Sequence, residues 1–220
     1  RFLFSDDSRT TLGTGLSANR NVAAGMASSV AGYFGGGRIS AVVDTVDRFL
    51  FSDDSRTTLG TGLSATRYSA AGFASSVAGY FAGGASGSFV SVSTVDRFLF
   101  SDDSRTTLGT GLSAAEQRSG GAASAVAGYV AGGYPDVTTV DRFLFSDDSR
   151  TTLGTGLSAA RRGLAGMASV EAGYFAGGYD GSAIVSTVDR FLFSDDSRTT
   201  LGTGLSVTRR NLAGFASLGA

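Results

Sequence analysis

The sequence predicts an all-β protein in which short repeated sheets surround a common axis. The 17-residue string RFLFSDDSRTTLGTGLS begins unchanged at Arg1, Arg48, Arg97, Arg142 and Arg190, so successive copies start 47, 49, 45 and 48 residues apart. The 33 Gly residues recur too often for long helices. Such periods are typical of propeller blades, because each repeat buries its apolar faces only against its neighbours. We expect residues 1–220 to form one five-bladed β-propeller, with part of a six- or seven-bladed ring as the alternative.

Each repeat divides into four predicted strands. In the stretch that starts at Leu164, small residues favour a strand at 164–169 and a second at 172–178, which a Gly pair ends. A third strand at 187–194 is rich in β-branched and aromatic residues, and a turn joins it to a fourth at 198–204. Small side chains on the inner strands and bulky side chains on the outer strands fit a blade that widens away from the axis.

The last blade is predicted to be incomplete. The sequence of the second strand occurs four times, whereas the other three strands occur five times. We expect residues 1–17 to share a terminal blade with residues 211–220, which then lacks one strand. Unpaired backbone groups at such a gap would favour strand addition by another chain.

The repeat resembles the kelch repeat. The resemblance rests on a small-residue strand, an aromatic residue before a Gly pair, a loop, an aromatic-bearing strand and a last strand leading to an Arg. The aromatic residues in question are Tyr33, Tyr80, Tyr129 and Tyr174. The fourth strand departs from the pattern, because kelch repeats usually carry Trp where this chain has Leu12. The resemblance implies four-stranded blades; near-identical tandem copies are also similar to repeat proteins on phage and cyanobacterial surfaces.

Composition excludes most enzyme chemistry. The chain has no Cys and no His, which removes thiolate nucleophiles, the commonest metal ligand and the usual general base. We therefore expect no catalytic residue, no metal and no cofactor. A net charge of −1 with Arg spread over every repeat predicts no nucleic-acid partner. Apolar stretches too short to span a bilayer predict no membrane insertion. The compartment stays open, with the extracellular space or a virion surface favoured.

Two motifs have a structural interpretation beside a functional one. Residues 13–18 fit the pattern G-x-G-x-x-A of dinucleotide sites, but no helix follows and the same glycines return in every copy. The pair Asp6-Asp7 and its copies would suit Ca²⁺, yet Asp and Ser also favour turns by bonding their own backbone. The sequence favours turns in both cases.

Candidate binding residues lie where the copies differ. The loop after the second strand and the link after the fourth emerge on one face, the varied face, and contain most differences between copies. Free drift of surface loops would also produce such differences. Arg20, Arg67, Arg161 and Arg209 share one repeat position, which Glu116 occupies in the third copy. These guanidiniums predict either recognition of carboxylate, phosphate or sugar, or ion pairs with nearby Asp. The candidates are Arg20, Arg38, Arg67, Tyr68, Tyr134, Arg161, Arg162, Tyr179, Asp180, Arg209 and Arg210.

The sequence favours a non-enzymatic module for surface display, adhesion or assembly. Amplification of near-identical copies is expected where function depends on the overall shape of the protein more than on a single set of catalytic residues. The expected partner is another protein or further copies of the chain. A lectin that uses Arg and Tyr is the alternative, with a glycan as its ligand. An enzyme of the kelch-type propeller class is less favoured, because activity would need another domain.

Overall fold

The computed structural model describes Asp6 and residues 8–214, and this part of the chain is all-β. It contains four antiparallel sheets, each of four strands in chain order, here called blades 1 to 4. Blade 1 has β1 (Ala24–Ala27), β2 (Ala31–Gly35), β3 (Val46–Leu50) and β4 (Arg56–Thr58). Blade 2 has β5 (Ala71–Ala74), β6 (Ala78–Ala82), β7 (Val95–Leu99) and β8 (Arg105–Thr107). Blade 3 has β9 (Gly120–Ala123), β10 (Ala127–Ala131), β11 (Val140–Leu144) and β12 (Arg150–Thr152). Blade 4 has β13 (Ala165–Ala168), β14 (Ala172–Ala176), β15 (Val188–Leu192) and β16 (Arg198–Thr200).

The predicted strand order is confirmed in blades 1 to 4, and the strands are shorter than predicted. In blade 4 the second strand ends at Ala176, because Gly177 and Gly178 adopt φ values of +66° and +111° and leave the ladder. The outermost strand covers only Arg198–Thr200 and pairs with β15 through the register Phe191↔Arg198. Blade edges are therefore short, which limits unwanted pairing.

The innermost strands of successive blades lie side by side around the axis: β1 contacts β5, β5 contacts β9 and β9 contacts β13. Glycine allows this approach. A Cβ on Gly72 would lie 2.1 Å from the backbone oxygen of Gly25, and one on Gly121 would lie 2.3 Å from that of Gly72. Gly166 approaches Gly121 in the same way, at 2.2 Å. Four sheets so arranged form a β-propeller-like architecture.

Aromatic rings fill the wedges between blades. Tyr33 of β2 stacks on Phe100, which follows β7, with ring centroids 5.4 Å apart. Tyr80 stacks in the same way on Phe145, with centroids 5.5 Å apart. The core clusters accordingly combine residues of neighbouring blades, as where Phe73 of blade 2 packs with Phe143 of blade 3.

The two Asp residues of the outer turns in blades 2, 3 and 4 have different roles. The first caps its own turn: Asp147 accepts a hydrogen bond from the Ser149 backbone N–H at 3.0 Å. The second, Asp148, has φ +57° and reaches the preceding blade, where it accepts from the Tyr80 hydroxyl at 2.9 Å and the Arg97 guanidinium at 2.5 Å. We call this contact the Tyr–Asp–Arg clamp. The same clamp joins Asp103 to Tyr33 and Arg48, and Asp196 to Tyr129 and Arg142.

The incomplete terminal blade lies partly outside the described residues. That prediction concerned residues 1–17 together with 211–220, and the structure describes only Asp6, residues 8–17 and residues 211–214 of these.

Candidate functional site on the varied face

The varied face is formed by two kinds of segment, as the alternation of strand direction requires. One is the loop between the second and third strands of a blade, and the other is the link that enters its first strand. Isolated bridges hold each link against its loop, pairing Asn21 with Arg38, Tyr68 with Ala85, Gln117 with Tyr134 and Arg162 with Tyr179. The face is therefore a set of braced loops on a rigid sheet scaffold.

Three of the predicted Arg residues are buried inside the scaffold. The Arg67 side chain is 2% exposed and its Nη2 lies 2.7 Å from Asp96 Oδ2, which is fully buried. The same guanidinium donates to the carbonyl oxygens of Thr94 and Phe81 at 2.9 and 3.1 Å. Arg20 pairs with Asp47 at 2.7 Å and Arg161 with Asp189 at 2.9 Å. Of the two interpretations left open by the sequence, the ion pair describes these three residues, and they are not a surface ring.

These buried pairs, here called Arg–Asp latches, tie the link that enters a blade to the third strand of that blade, and the Arg67 latch joins two blades. The Arg67 backbone N–H donates to Val43 of blade 1 at 3.2 Å, while its guanidinium binds Asp96 of blade 2. Burial lowers the pKa of the Arg67 guanidinium, and Asp96 opposes that shift. At the Asp189 carboxyl, burial acts to raise the pKa, but hydrogen bonds from Thr200 and Ser158 and the charge of Arg161 lower it overall. The latch is therefore an ionised pair with satisfied acceptors.

Arg209 occupies the same repeat position but has a different environment. Its backbone N–H donates to Val185 at 3.3 Å and its carbonyl accepts from Gly178 at 2.7 Å, as in the buried latches. Its side chain is exposed. Arg210 is exposed as well, so these two predicted residues do lie on the surface of the varied face.

Glu116 replaces the latch Arg in blade 3. Its side chain is 2% exposed, and Asp141, the counterpart of Asp96, is 1% exposed. Burial, with a further contribution from the Asp141 charge, raises the pKa of Glu116 to about 8. Glu116 Oε1 is buried and has no hydrogen-bond partner among the described residues. Blade 3 is thus the one blade of the four described in which two acidic side chains face each other at the latch position.

A cluster of Arg and Tyr side chains forms the most distinctive surface of the varied face. The Arg162 guanidinium lies 5.2 Å from the centroid of the Tyr134 ring and 4.7 Å from that of Tyr179. Arg162 Nη1 also pairs with Asp136 Oδ2 at 2.6 Å, and Arg210 lies 5.7 Å from the Tyr179 centroid. Tyr134 is 47% exposed. We call this set the Arg–Tyr cluster; it combines flat apolar faces with fixed N–H donors.

The other predicted residues lie beside these features. Arg38 is half-buried and lies 5.1 Å from the centroid of Phe89, an exposed ring on the loop of blade 2. Tyr68 is buried and meets Phe89 edge to face at 6.3 Å. Asp180 caps its own loop by accepting from the Ser182 and Ala183 N–H groups at 2.9 and 2.7 Å. Tyr68 and Asp180 therefore have structural contacts that the sequence did not predict.

A cavity of about 280 Å³ opens at the axis of the varied face. Residues of all five copies line it. In the second to fifth copies, one residue is bonded through its backbone N–H to the carbonyl oxygen of the equivalent residue in the preceding copy. These bonds are Ser69 to Val22 at 2.9 Å, Arg118 to Ser69 at 2.9 Å, Gly163 to Arg118 at 2.8 Å and Asn211 to Gly163 at 2.7 Å. All five residues have positive φ, from +49° to +65°. No such bond between Val22 and Asn211 is present in the described part of the chain.

The two faces differ in charge. On the varied face, Arg38, Arg118, Arg162, Arg209 and Arg210 outnumber Asp44, Asp136 and Asp180, which leaves a net charge of about +2 at neutral pH. The opposite face contains the outer turns and the short links between the first and second strands of each blade. We call it the hairpin face. It exposes the carboxylates of Asp53, Asp102, Asp147, Asp195 and Glu171, together with Val30, Val77, Val126 and Val170, which are 60–78% exposed.

Sequence reasoning did not identify three features: the contacts of the second Asp in the outer turns, the exposed ring of Phe89, and Arg118. The clamp joins Asp148 to a Tyr 68 residues earlier, and no local pattern signals a contact at that separation. Positive φ at Arg118 is equally invisible in the sequence. Within the described residues there is no group of three or more acidic, His or Cys side chains close enough to hold a metal ion. No helix of that part of the chain could span a membrane.

Fold and surface together define an all-β chain of propeller-like architecture with Arg- and Tyr-bearing loops on one face. A scan against protein-family models found no match, and a search of curated proteins found none either. Among solved structures, the chain is similar to one described as "Structure of YjhT", with a TM-score of 0.80 and 14% sequence identity. The match covers 96% of this chain and 78% of that one. At this identity the likeness shows the fold alone.

Proposed function

We propose that the chain is a five-bladed, kelch-like β-propeller that serves as a non-enzymatic module for display, adhesion or assembly on a cell or virion surface. The varied face is its contact surface. One observation carries the proposal: the differences between copies and the Arg–Tyr cluster lie on the same face, whereas the invariant string is used in contacts that hold the blades together.

The arrangement of residues around the axis supports the proposal of five blades. The fifth copy contributes Asn211 and Leu212 to the axial cavity at positions equivalent to those of the other four copies, and Ala213 in addition. A Cβ on Gly214 would lie 2.1 Å from the backbone oxygen of Gly166, which is the spacing seen between the described inner strands. Both observations support a fifth blade that follows blade 4 around the axis.

A non-enzymatic role is supported by the state of the carboxylates in the outer turns. The first Asp of each outer turn is exposed and has its pKa lowered by hydrogen bonds from Ser, as at Asp53 with Ser55. A general acid needs a pKa raised toward the working pH, so these groups are poorly suited to that role. The sequence offers no His or Cys to replace them.

Assembly is supported by the opposite charges of the two faces. The acidic hairpin face with its exposed valines complements the basic varied face, so head-to-tail contact between copies is favoured at low salt. The test is sedimentation velocity of the wild type at about 0.05 M and about 0.5 M salt. We expect association that grows with concentration at the lower salt and is lost at the higher.

Two variants distinguish head-to-tail contact from other geometries. One changes Asp53, Asp102, Asp147 and Asp195 to Asn, which keeps the turn bonds; the other changes Arg118, Arg209 and Arg210 to Gln. Each variant alone should sediment as a monomer, and their mixture should stop at a dimer, because only one pair of faces remains intact. A wild type that is monomeric at both salt concentrations would exclude self-assembly and leave another protein or a glycan as the partner.

A lectin is the second candidate, and the exposed Tyr134 ring beside Arg162 favours it. Aromatic faces stack on sugar rings while guanidinium N–H groups bond hydroxyl or carboxylate oxygens. A glycan array probed with the wild type and with Tyr134→Ala tests this. Binding that the variant loses supports a sugar site at the Arg–Tyr cluster, and an array without signal removes the lectin hypothesis.

A further inference from the structure

Blade 3 differs from the other described blades at its latch. In blades 1, 2 and 4 a guanidinium is buried against the Asp of the third strand. In blade 3 the same place holds Glu116, 2% exposed, opposite Asp141, 1% exposed. The position that holds an Arg guanidinium in three blades holds a second carboxylate in blade 3.

Buried side-chain oxygens without hydrogen-bond partners are concentrated in blade 3. The buried side-chain oxygens that lack a hydrogen-bond partner among the described residues are those of Glu116, Gln117, Ser119 and Asp136, all in the link and loop of blade 3. Ser119 stands where blades 1, 2 and 4 have Ala23, Ala70 and Leu164. A Cβ on Gly133 would lie 2.6 Å from Ser119 Oγ and 3.2 Å from Glu116 Oε2, so both oxygens face one small space.

Electrostatics favours a positive charge in that space. Two carboxylates in a low-dielectric interior repel each other and lose hydration, so a compensating charge stabilises them strongly. Asp141 Oδ2 accepts from the Ser113 N–H and hydroxyl at 2.7 and 2.9 Å, and Arg150 lies 3.3 Å from the other oxygen, Oδ1. In blade 4 the equivalent Asp189 has Arg198 and Arg161 together, so Asp141 lacks one of the two cations.

We propose that blade 3 binds a hard divalent cation, of which Ca²⁺ is the type, between Glu116 and Asp141. The ligands would be the Glu116 carboxylate, Asp141 Oδ2, Ser119 Oγ and the carbonyl oxygens of Val130 and Thr139. These two carbonyls correspond to those of Phe81 and Thr94, which accept hydrogen bonds from the Arg67 guanidinium. All of these ligands bind through oxygen, as hard cations prefer, and the two carboxylates supply the negative charge.

The axial cavity lies beside this site. Ser119 lines that cavity, and its Oγ faces the space shared with Glu116. Water in the cavity can complete the coordination shell, since Ca²⁺ takes 6–8 oxygen ligands. The site is independent of what the varied face binds, so either proposal can fail without the other.

The test is Ca²⁺ binding by the whole chain after treatment with a chelator. Calorimetric titration of the wild type should give one Ca²⁺ per chain, and saturating Ca²⁺ should raise Tm by about 2–4 °C or more. NaCl at equal ionic strength is the control for screening. Glu116→Arg, which restores the residue of the sister blades, should remove the Ca²⁺ response and raise Tm in the absence of Ca²⁺.

Two further variants keep the result decisive. Glu116→Gln is isosteric and should also lose the Ca²⁺ response, which covers failure of the Arg variant to fold. Glu171→Gln, an exposed carboxylate of blade 4, should leave the response unchanged. A wild type without a Ca²⁺-dependent shift, a shift that NaCl reproduces, or a response retained by both Glu116 variants would overturn the proposal. The last result would place Ca²⁺ on the outer Asp turns instead.

Discussion

Arg67 and Arg209 occupy the same repeat position in opposite environments, which makes them a matched pair. Arg67→Met should lower the free energy of unfolding by about 3–5 kcal/mol, because it leaves the buried Asp96 carboxylate without its cation. Arg209→Met should change it by no more than about 0.5 kcal/mol, since that side chain is exposed. Urea unfolding measures both, and equal losses in the two variants would contradict the latch as a stabilising contact.

The latch shows how far single residues could be predicted. The sequence indicated that four Arg share one position and allowed either an Asp partner or a ligand. It could not decide between them, because the partner of Arg67 lies 29 residues away on another strand and depends on how blades pack. The half-buried Arg162 and Tyr179 were predicted as binding residues of the varied face, but the Asp136 partner of Arg162 was not predicted. Contacts of this kind follow from tertiary packing and not from local pattern.

The innermost strands depend on glycine wherever neighbouring backbones approach. Gly121→Ala should destabilise the protein by about 1–3 kcal/mol or more, because the new Cβ would lie 2.3 Å from the backbone oxygen of Gly72. Gly109→Ala is the control, since no atom lies within 4 Å of its added Cβ. Thermal unfolding of the two variants provides the comparison. A Gly121 variant as stable as the control would mean that the inner strands are less closely spaced than described.

The outer turns should make stability depend on pH in acid. Hydrogen bonds from Ser lower the pKa of Asp53, Asp102, Asp147 and Asp195 below 3.8. A carboxyl whose pKa is lower in the folded state stabilises it above the unfolded value, and this contribution is lost as pH falls through the folded value. Tm measured from about pH 5 to about pH 2 should therefore fall less steeply when these four Asp are changed to Asn. Parallel curves would show that the turns do not contribute.

At the scale of strands, sequence patterns located every strand of blades 1 to 4 and overestimated the strand lengths. Alternation and Gly punctuation predicted strands at 172–178 and 198–204, and the structure has Ala172–Ala176 and Arg198–Thr200. The overestimate has a physical cause. The Gly pair was included in the strand, but positive φ turns its backbone toward the next link, where Gly178 N–H donates to Arg209 at 2.7 Å.

For the whole molecule, the repeat period predicted the architecture because repeats of this length bury their faces only against one another. The periodicity did not reveal how neighbours are held. Identical outer turns were interpreted as surface features, whereas the second Asp of the outer turn clamps the preceding blade in blades 2, 3 and 4. Near-identity of the copies thus has a structural reason: the same contact forms at the three described junctions between blades 1 to 4.

The clamp predicts that stability is shared between blades. Asp148→Asn keeps the turn, since Asn tolerates positive φ, but removes the charge that Arg97 and Tyr80 contact across the junction. We expect a loss of about 1 kcal/mol, with reduced hydrogen-exchange protection in β6 and β7 as well as in β11 and β12.

Asp147→Asn is the matched control, because it removes a neighbouring charge that bonds only within its own turn. Its effect should stay within blade 3. If the Asp148 variant also changes protection in blade 3 alone, then neighbouring blades open independently, and stacked aromatic rings rather than the clamps hold the junctions. If protection falls in every blade to the same extent, the blades unfold as one cooperative unit, which is what a closed ring of mutually covering sheets requires and an open row of repeats does not.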